Sequence, residues 1–127
     1  MVPKVLYRSV DIETLKKDMK YIKEKVLKEE YYISKRDKNE LFRRKYRFTK
    51  KSDYGNILLK LNINDFNKYD KEEQPDIYGE GIIYVFIKEW CLKNIHGDEE
   101  NVNLYIKIKI PNEGEHLPVI SFHVSEY

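Results

Sequence analysis

The sequence lacks the features that direct a chain into a membrane or an oxidising compartment. No apolar run approaches the ~20 residues that a membrane-spanning helix needs, and the longest, from Ile82 to Ile87, has the length of a β-strand. The single cysteine, Cys91, cannot form an internal disulfide. The first residues, Met1 to Lys4, lack the apolar stretch and cleavage site of a signal peptide. We therefore expect a cytoplasmic protein without membrane partners.

Several catalytic motifs are missing as well. The sequence has no glycine-rich phosphate loop, no HExxH, no CxxC pair and no serine nucleophile elbow. Nucleotide hydrolysis, zinc chemistry and α/β-hydrolase catalysis therefore have no local support. The acidic run from Asp98 to Asn101 is more simply explained as a solvated hairpin loop than as a metal site. We expect a protein that uses neither a metal nor another cofactor.

The length and composition fit one domain. A chain of 127 residues with 41% hydrophobic content can bury one modest core but not two, so we expect residues 1–127 to form a single domain. Residues 1–60 hold 18 Lys and Arg against 9 Asp and Glu, whereas residues 61–127 hold 6 against 13. This asymmetry points to a charged partner, because a local positive field attracts phosphates even at a net charge of +2.

The densest positive stretch runs from Lys35 to Lys51, with Tyr46 and Phe48 among the charges. Such a pattern suits phosphate contact combined with base stacking, although a solvated helix face explains it equally well. The residues of this stretch that we predict to bind RNA are Lys35, Arg36, Lys38, Arg43, Arg44 and Arg47.

Apolar periodicity predicts helices in the N-terminal half. The first runs from about Asp11 to Lys28, with an apolar stripe of Ile12, Leu15, Met19, Ile22 and Val26. The second begins at Ser34, because Ser34 and Asp37 resemble a capping box, and buries Leu41, with Phe42 or Tyr46 as further candidates. The third begins near Ser52 or Asp53 and buries Tyr54, Ile57, Leu58 and Leu61. A helical turn at Asn64 to Lys68 and a loop from Tyr69 to Gly79 follow.

The remaining sequence has the period of strands. The run from Ile82 to Ile87 predicts a strand buried on both faces, with Trp90 and Cys91 at its end in the core. From Val102 to Ile110 even-numbered apolar residues alternate with Asn103, Tyr105, Lys107 and Lys109. From Val119 to Val124 an inward set of Ile120, Phe122 and Val124 alternates with Ser121 and His123. We predict an α+β fold, with the helices packed on an antiparallel sheet of three or slightly more strands.

If the last two strands pair as a hairpin, their outward residues Tyr105, Lys107, Ser121 and His123 meet on one side of the sheet. RNA cleavage without a metal needs a base for the 2′-OH proton, a cation for the charge on the phosphate and an acid for the leaving 5′ oxygen. Imidazole carries a proton either way near neutrality, and a fixed lysine stabilises a pentacoordinate phosphate. The same residue types are also common on an ordinary solvated sheet face.

Three short segments occur in a distinctive order: Ile63 to Lys68 (INDFNK), Leu104 to Ile108 (LYIKI) and Val119 to His123 (VISFH). They resemble the MqsR family of type II toxins, whose members show a D-F-x-K segment, a [VL]-Y-[LIV]-K strand and a final strand with S-F followed by Lys or His. Tyr32 to Asn39 (YISKRDKN) is similar to a segment of the Gram-positive branch, whose last strand also has S-F-H.

The resemblance implies a RelE-like fold, cleavage of mRNA without a metal and silencing by a cognate antitoxin protein. Lys68 matches the lysine of D-F-x-K, Tyr105 the tyrosine of the middle strand and His123 the position after S-F. Where the better-studied branch has a glutamine in its first strand, this chain has Val85. The predicted catalytic residues are His123, Tyr105, Lys68 and Lys107.

The leading hypothesis is therefore a metal-independent endoribonuclease toxin. His123 acts as general acid or base, Tyr105 orients or deprotonates the 2′-OH, and Lys68 and Lys107 stabilise the phosphate. One alternative is a non-enzymatic, phage- or plasmid-encoded binding or inhibitor protein that engages a protein or nucleic-acid partner through its charged faces, and Val85 favours it. A second is an RNA-binding module without chemistry, resting on Tyr46, Phe48 and their basic neighbours.

Overall fold

The structure, a computed structural model, describes residues 10–76, 78–114 and 116–125. Its helices are α1 (Ile12–Leu27), α2 (Asp37–Tyr46) and α3 (Lys51–Leu58), with a 3₁₀ helix at Ile63–Asp65. Its strands are β1 (Tyr31–Ile33), β2 (Phe66–Asp76), β3 (Gly79–Lys93), β4 (Glu99–Pro111) and β5 (Leu117–Val124). The predicted α+β class is confirmed. Among these helices, none combines the length and the apolar character that crossing a membrane requires.

Within the described residues the strands form one mixed sheet in the order β1-β5-β4-β3-β2. The pairs β2–β3, β3–β4 and β4–β5 are antiparallel, whereas β1 runs parallel to β5. The prediction of an antiparallel sheet of about three strands was therefore wrong in size and missed the parallel edge. β1 has three residues, which is too short for an apolar period to show in the sequence.

Helix α1 forms where its periodicity predicts. The Asp11 carboxylate accepts a hydrogen bond of 2.8 Å from the backbone N–H of Thr14 and so caps the first turn. The buried side chains are Leu15, Met19, Ile22 and Val26. Ile12 was wrongly placed in this stripe: it is 49% exposed, since it is the first helical residue and precedes the packed turns.

Helix α2 begins later than predicted. Its N-cap residue is Arg36, whereas the Ser34 hydroxyl shares a 2.8 Å hydrogen bond with the hydroxyl of Tyr78. The helix buries Phe42 and Tyr46, and Leu41 is 63% exposed, contrary to the prediction. Successive helical residues point about 100° apart, so the face that carries Phe42 turns its neighbour toward solvent.

Helix α3 approaches β1 closely at a glycine. A Cβ atom on Gly55 would lie 2.5 Å from the hydroxyl oxygen of Tyr31, and this hydroxyl donates a 2.9 Å hydrogen bond to the carbonyl of Lys51. Gly55 weakens the helix intrinsically but permits this contact. The predicted burial of Tyr54, Ile57, Leu58 and Leu61 is confirmed.

The loop predicted from Tyr69 to Gly79 is wrong, because residues 66–76 form the edge strand β2. The helical turn predicted at Asn64 to Lys68 is shorter and earlier, at Ile63–Asp65. Strand β2 pairs with β3 from Phe66 opposite Phe86 onward. An edge strand faces water on one side, so it accepts charges and a proline that would be excluded from a central strand.

Strand β3 is longer than its apolar run suggests and extends to Lys93. Cys91 is therefore exposed rather than buried, while Trp90 packs partly against the core. Gly81 is required where β3 meets β4, because a Cβ there would lie 2.3 Å from the carbonyl oxygen of Ile110. The hairpin turn comes earlier than predicted, since β4 already begins at Glu99.

A bulge in β5 changes which residues face the core. Lys107 pairs with Ser121 and Ile108 with Val119, so Ile120 is an extra residue between them. Val119 and Phe122 consequently belong to the core cluster, and Ile120 does not. Ile120 is buried, at 4% exposed, but it does not join the core cluster as its spacing predicts, since strict alternation fails at a bulge.

The sheet has two different faces. The inner face carries Tyr84, Phe86, Leu104, Ile106 and Phe122, which pack with the helices in one core cluster. The Tyr84 hydroxyl donates a hydrogen bond to Asp18 of α1, and burial first and this carboxylate second raise the pKa of Tyr84 above its ordinary value. The outer face carries the predicted site. Lys109 also lies on the outer side of β4 as predicted, but it is fully buried.

Candidate active site

Four strands place one row of side chains across the outer face. Lys68 of β2 pairs with Val85 of β3, Val85 with Lys107 of β4, and Lys107 with Ser121 of β5. Neighbouring strands are about 4.8 Å apart, so the backbones of Lys68 and Lys107 flank the short side chain of Val85. Both lysines can therefore reach toward one anion held above Val85, which is 3% exposed.

The sequence around Lys68 fixes where β2 begins. The Asp65 carboxylate accepts a 2.9 Å hydrogen bond from the backbone N–H of Asn62 and forms a 3.1 Å ion pair with Lys88 on the inner face. Phe66 packs edge-on against Tyr84, with ring centroids 6.1 Å apart. A register shift between Phe66 and Lys68 then turns the lysine to the outer face. In the D-F-x-K segment, Asp65 therefore fixes the start of β2, Phe66 packs against the core, and Lys68 lies on the outer face.

Tyr105 and His123 are direct partners in the β4–β5 pair. Their rings are stacked, with centroids 5.4 Å apart and planes inclined by 14°. The Nδ1 atom of His123 lies 3.0 Å from the carbonyl oxygen of Val124. Because a carbonyl oxygen only accepts hydrogen bonds, Nδ1 is the donor in this contact, and the tautomer that makes it has Nε2 as the acceptor nitrogen. The phenol and a basic nitrogen are therefore neighbours on the outer face.

The N-terminus of α2 closes this site at the edge of β5. Asn39 is buried, and its amide donates hydrogen bonds to the carbonyls of Ser34 (2.8 Å) and Ile120 (2.9 Å) while accepting one from the Phe122 backbone N–H (2.9 Å). The Asn39 side chain thereby makes the hydrogen bonds to β5 that a neighbouring strand would make, at the point where β1 has ended. The guanidinium of Arg36 donates a 3.3 Å hydrogen bond to the Ser121 hydroxyl. The positive end of the α2 dipole faces the same space.

These groups line one cleft of about 490 Å³. Its walls are formed by the N-terminal turn of α2 and by the outer faces of β2, β4 and β5: Arg36, Asp37, Lys38, Asn39, Lys68, Tyr105, Lys107, Ser121 and His123. All four predicted catalytic residues are therefore together. The cleft holds four cationic side chains against one carboxylate, so it is suited to a phosphate.

The predicted RNA-binding residues divide into two groups. Arg36 and Lys38 line the cleft, and Lys35 lines an adjoining depression. Arg43 instead forms a 3.0 Å ion pair with Glu40. Arg44, farther along α2, and Arg47, its C-cap, lie outside the cleft lining. The predicted basic stretch therefore contributes to the site mainly through its first residues.

Sequence reasoning missed Asn39 and the contact between Arg36 and Ser121. Asn39 stands among charged residues on a helix that was predicted to start earlier, and its role depends on a bulge 81 residues away in the chain. No local pattern reveals such a partner. Ser121 was expected on the outer face, and the structure places it there, 5% exposed beneath Arg36.

In the described part of the chain, no three His, Cys, Asp or Glu side chains are grouped so that they could hold a metal ion. The cleft supplies hydrogen-bond donors, an imidazole and a phenol, side chains of the kinds that can move a proton and bind an anion. No protein-family model, curated protein or solved structure gives a significant match to the chain.

Proposed function

We propose that the protein is an endoribonuclease that cuts RNA without a metal, by attack of a ribose 2′-OH on the adjacent phosphate. The observation that carries the proposal is the stacked pair of Tyr105 and His123 in the same cleft as Lys68 and Lys107. A general base, a general acid and a paired cation are the groups that this reaction needs.

The reaction forms a bond between O2′ and phosphorus and breaks the bond between phosphorus and O5′. Nε2 of neutral His123 accepts the 2′-OH proton, with the phenol of Tyr105 orienting the hydroxyl. The resulting imidazolium, or Tyr105 itself, donates a proton to the departing O5′. The products are a 2′,3′-cyclic phosphate on one fragment and a 5′-hydroxyl on the other, and no oxidant or reductant is consumed.

The negative charge that grows on the phosphate is met from two sides. Lys68 and Lys107, which flank Val85 in the sheet, line the cleft on one side, and Arg36 and Lys38 line it at the α2 N-terminus. Cations and helix N-termini that are already in place stabilise a developing oxyanion without reorganisation. Val85 stands where the better-studied branch of the MqsR family has a glutamine, so no side-chain amide lies between the two lysines.

The wider biological setting follows from the resemblance to MqsR-type toxins. All three motif segments contribute to the cleft: D-F-x-K gives Lys68, Y-x-K gives Tyr105 and Lys107, and S-F-H gives Ser121 and His123. We accordingly propose a RelE-like toxin fold, mRNA as the substrate and a cognate antitoxin protein as the partner. Expression without the antitoxin is expected to arrest growth.

A cleavage assay on purified protein tests the chemistry. Wild type is expected to cut RNA in EDTA and to leave 2′,3′-cyclic phosphate ends. His123→Ala is expected to cut at least about 10²-fold more slowly, because one acid–base group contributes 10²–10⁴-fold, and Tyr105→Phe more slowly than wild type. Asn103→Ala, on the same face of β4, is the matched control and should cut normally.

Two outcomes would contradict the proposal. One is an unchanged rate in His123→Ala protein whose thermal unfolding matches wild type. The other is intact RNA in both EDTA and Mg²⁺ with folded wild-type protein that has been separated from every partner protein, which supports the non-enzymatic binding function. Val85 is the observation that favours this second function, since it puts an apolar side chain between the two lysines.

A further inference from the structure

A second depression adjoins the cleft on the outer side of the sheet. It is lined by residues of β1, of the segment that follows it and of the β2–β3 turn, including Tyr32, Ser34, Lys35 and Tyr78. Arg36 and Lys107 line both depressions. The two depressions therefore adjoin at these two side chains, so a ligand with a phosphate at Lys107 has the second depression next to it.

The second depression has a different chemical character from the first. Its walls include the rings of Tyr32 and Tyr78 and the apolar side chain of Ile120. Tyr32 is 43% exposed, because the parallel pairing of β1 with β5 turns Tyr31 to the core and its neighbour outward. The bulge in β5 turns Ile120 to the same side. An aromatic ring over an apolar floor offers a flat surface of the size of a nucleobase.

The hydrogen bond between the hydroxyls of Ser34 and Tyr78, 2.8 Å long, fixes the second wall. It joins the end of β1 to the β2–β3 turn and thus positions the Tyr78 ring relative to Tyr32. Lys35 and Arg36 stand beside the rings with hydrogen-bond donors. Donors at the edge of a stacking surface suit the oxygen and nitrogen acceptors on the edges of a base.

We propose that this depression is a nucleobase subsite, in which a base next to the phosphate at Lys107 stacks on Tyr32 and is enclosed by Tyr78. The inference rests on the proposed nuclease function for its substrate but concerns binding, not the chemical step. A base held here fixes the register of the strand relative to His123. The subsite therefore makes the protein prefer unpaired, base-bearing strands over a bare phosphate backbone.

The test measures binding with strands that cannot be cut. Fluorescence anisotropy compares a labelled single-stranded DNA tetranucleotide, which lacks the 2′-OH nucleophile, with the same backbone carrying abasic sites. Wild type is expected to bind the base-bearing strand about 5- to 100-fold more tightly, since one stacked base is worth that factor. Tyr32→Leu keeps apolar bulk without a ring and is expected to lose most of this preference.

Three further variants separate stacking from folding. Tyr32→Trp should keep or increase the preference for the base-bearing strand. Tyr78→Phe should keep the ring but lose the hydrogen bond to Ser34. Ile95→Ala alters a side chain at the β3–β4 turn that is 44% exposed, close to the 43% of Tyr32. Ile95→Ala is expected to behave as wild type. A preference retained in Tyr32→Leu, or equal binding of both strands by wild type, overturns the subsite.

The binding and cleavage assays can contradict the subsite and the nuclease function separately. Loss of cleavage with a preserved base preference would overturn the nuclease and leave the subsite standing. Normal cleavage with no base preference would overturn the subsite alone.

Discussion

Two depressions at opposite ends of the sheet have similar volumes and different chemistry. At one end the cleft of about 490 Å³ holds an imidazole, a phenol and four cations. At the other end, near the β3–β4 turn, a depression of about 450 Å³ has no lysine or arginine among its lining residues, which are Glu89, Trp90, Cys91, Asn101, Val102 and Asn103. Cavity volume therefore does not distinguish the two; their side chains do.

The width of the sheet explains this difference. Strand β2 begins opposite Phe86, and β5 ends at Val124 opposite Leu104. Beyond these positions the described sheet consists of β3 and β4 alone. Two strands bring side chains from only two directions, whereas the cleft collects them from three strands and a helix terminus. Convergence of this kind is what an acid–base pair beside an anion site requires.

Among changes that compare the two ends, the largest expected effect comes from removing one cation at the cleft end. Lys107→Met keeps the stem of the side chain and is expected to lower the cleavage rate by about 10²–10³-fold, comparable to loss of one transition-state donor. It should also reduce the salt dependence of RNA binding by about one counterion. Single-turnover cleavage and binding at several salt concentrations measure both. Asn103→Lys places a charge at the other end and should create no comparable activity.

Equal rates for Lys107→Met and wild type, with matching thermal unfolding, would show that the cleft cations do not act on the phosphate. A rise in rate from Asn103→Lys would show that net charge alone matters. Either result would remove the distinction between the two ends.

Sequence periodicity was sufficient to predict the elements that pack one whole face against an apolar surface. Helix α1 and the alternation of β4 were predicted because one face of each packs against a continuous apolar surface. The outward positions of Tyr105 and His123 followed from the same alternation. Their pairing required only that adjacent strands form a hairpin.

Periodicity failed where a distant contact decides the local structure. Residues 69–76 have the charges and the proline of a loop, but the edge of β3 pairs with them. Ile120 has the spacing of an inward residue, but a bulge stabilised by Asn39 turns it outward. Cys91 follows an apolar run, yet the sheet is only two strands wide there and leaves it exposed. In each case the outcome depends on whether another segment pairs with the residue, which its own spacing does not show.

A smaller effect, on the free energy of unfolding, is expected from replacing the asparagine that forms three hydrogen bonds at each end. Asn39→Ala removes three hydrogen bonds from a buried amide and leaves two carbonyls and the Phe122 N–H without that partner. We expect it to lower the free energy of unfolding by about 3 kcal/mol, since each unsatisfied buried group costs about 1–3 kcal/mol. Hydrogen exchange at the Phe122 amide should accelerate, and cleavage should weaken because His123 loses its support.

Asn94 is the matched control at the other end, next to the β3–β4 turn. It also makes three hydrogen bonds, from the N–H groups of His96 and Asp98 and to Glu100, but its surroundings are exposed. Water can replace these partners, so Asn94→Ala is expected to cost clearly less in chemical denaturation and to leave cleavage unchanged. Equal losses of stability in both variants would mean that burial of Asn39 does not set its contribution.

The smallest expected effect concerns Glu100, a carboxylate that contributes to stability near the β3–β4 turn. Glu100 accepts hydrogen bonds from the Asn94 amide at 2.7 Å and the Tyr46 hydroxyl at 2.8 Å, and these bonds, with Lys45 nearby, hold the pKa of Glu100 below its ordinary 4.5. A lowered folded-state pKa adds stability above the unfolded value and loses it as the pH falls through the folded value. Wild type should therefore be slightly more stable than Glu100→Gln at pH 7, and the difference should vanish in acid. Thermal unfolding from pH 7 to pH 3 measures this, and a difference that persists at the lowest pH would show that shape rather than charge is lost.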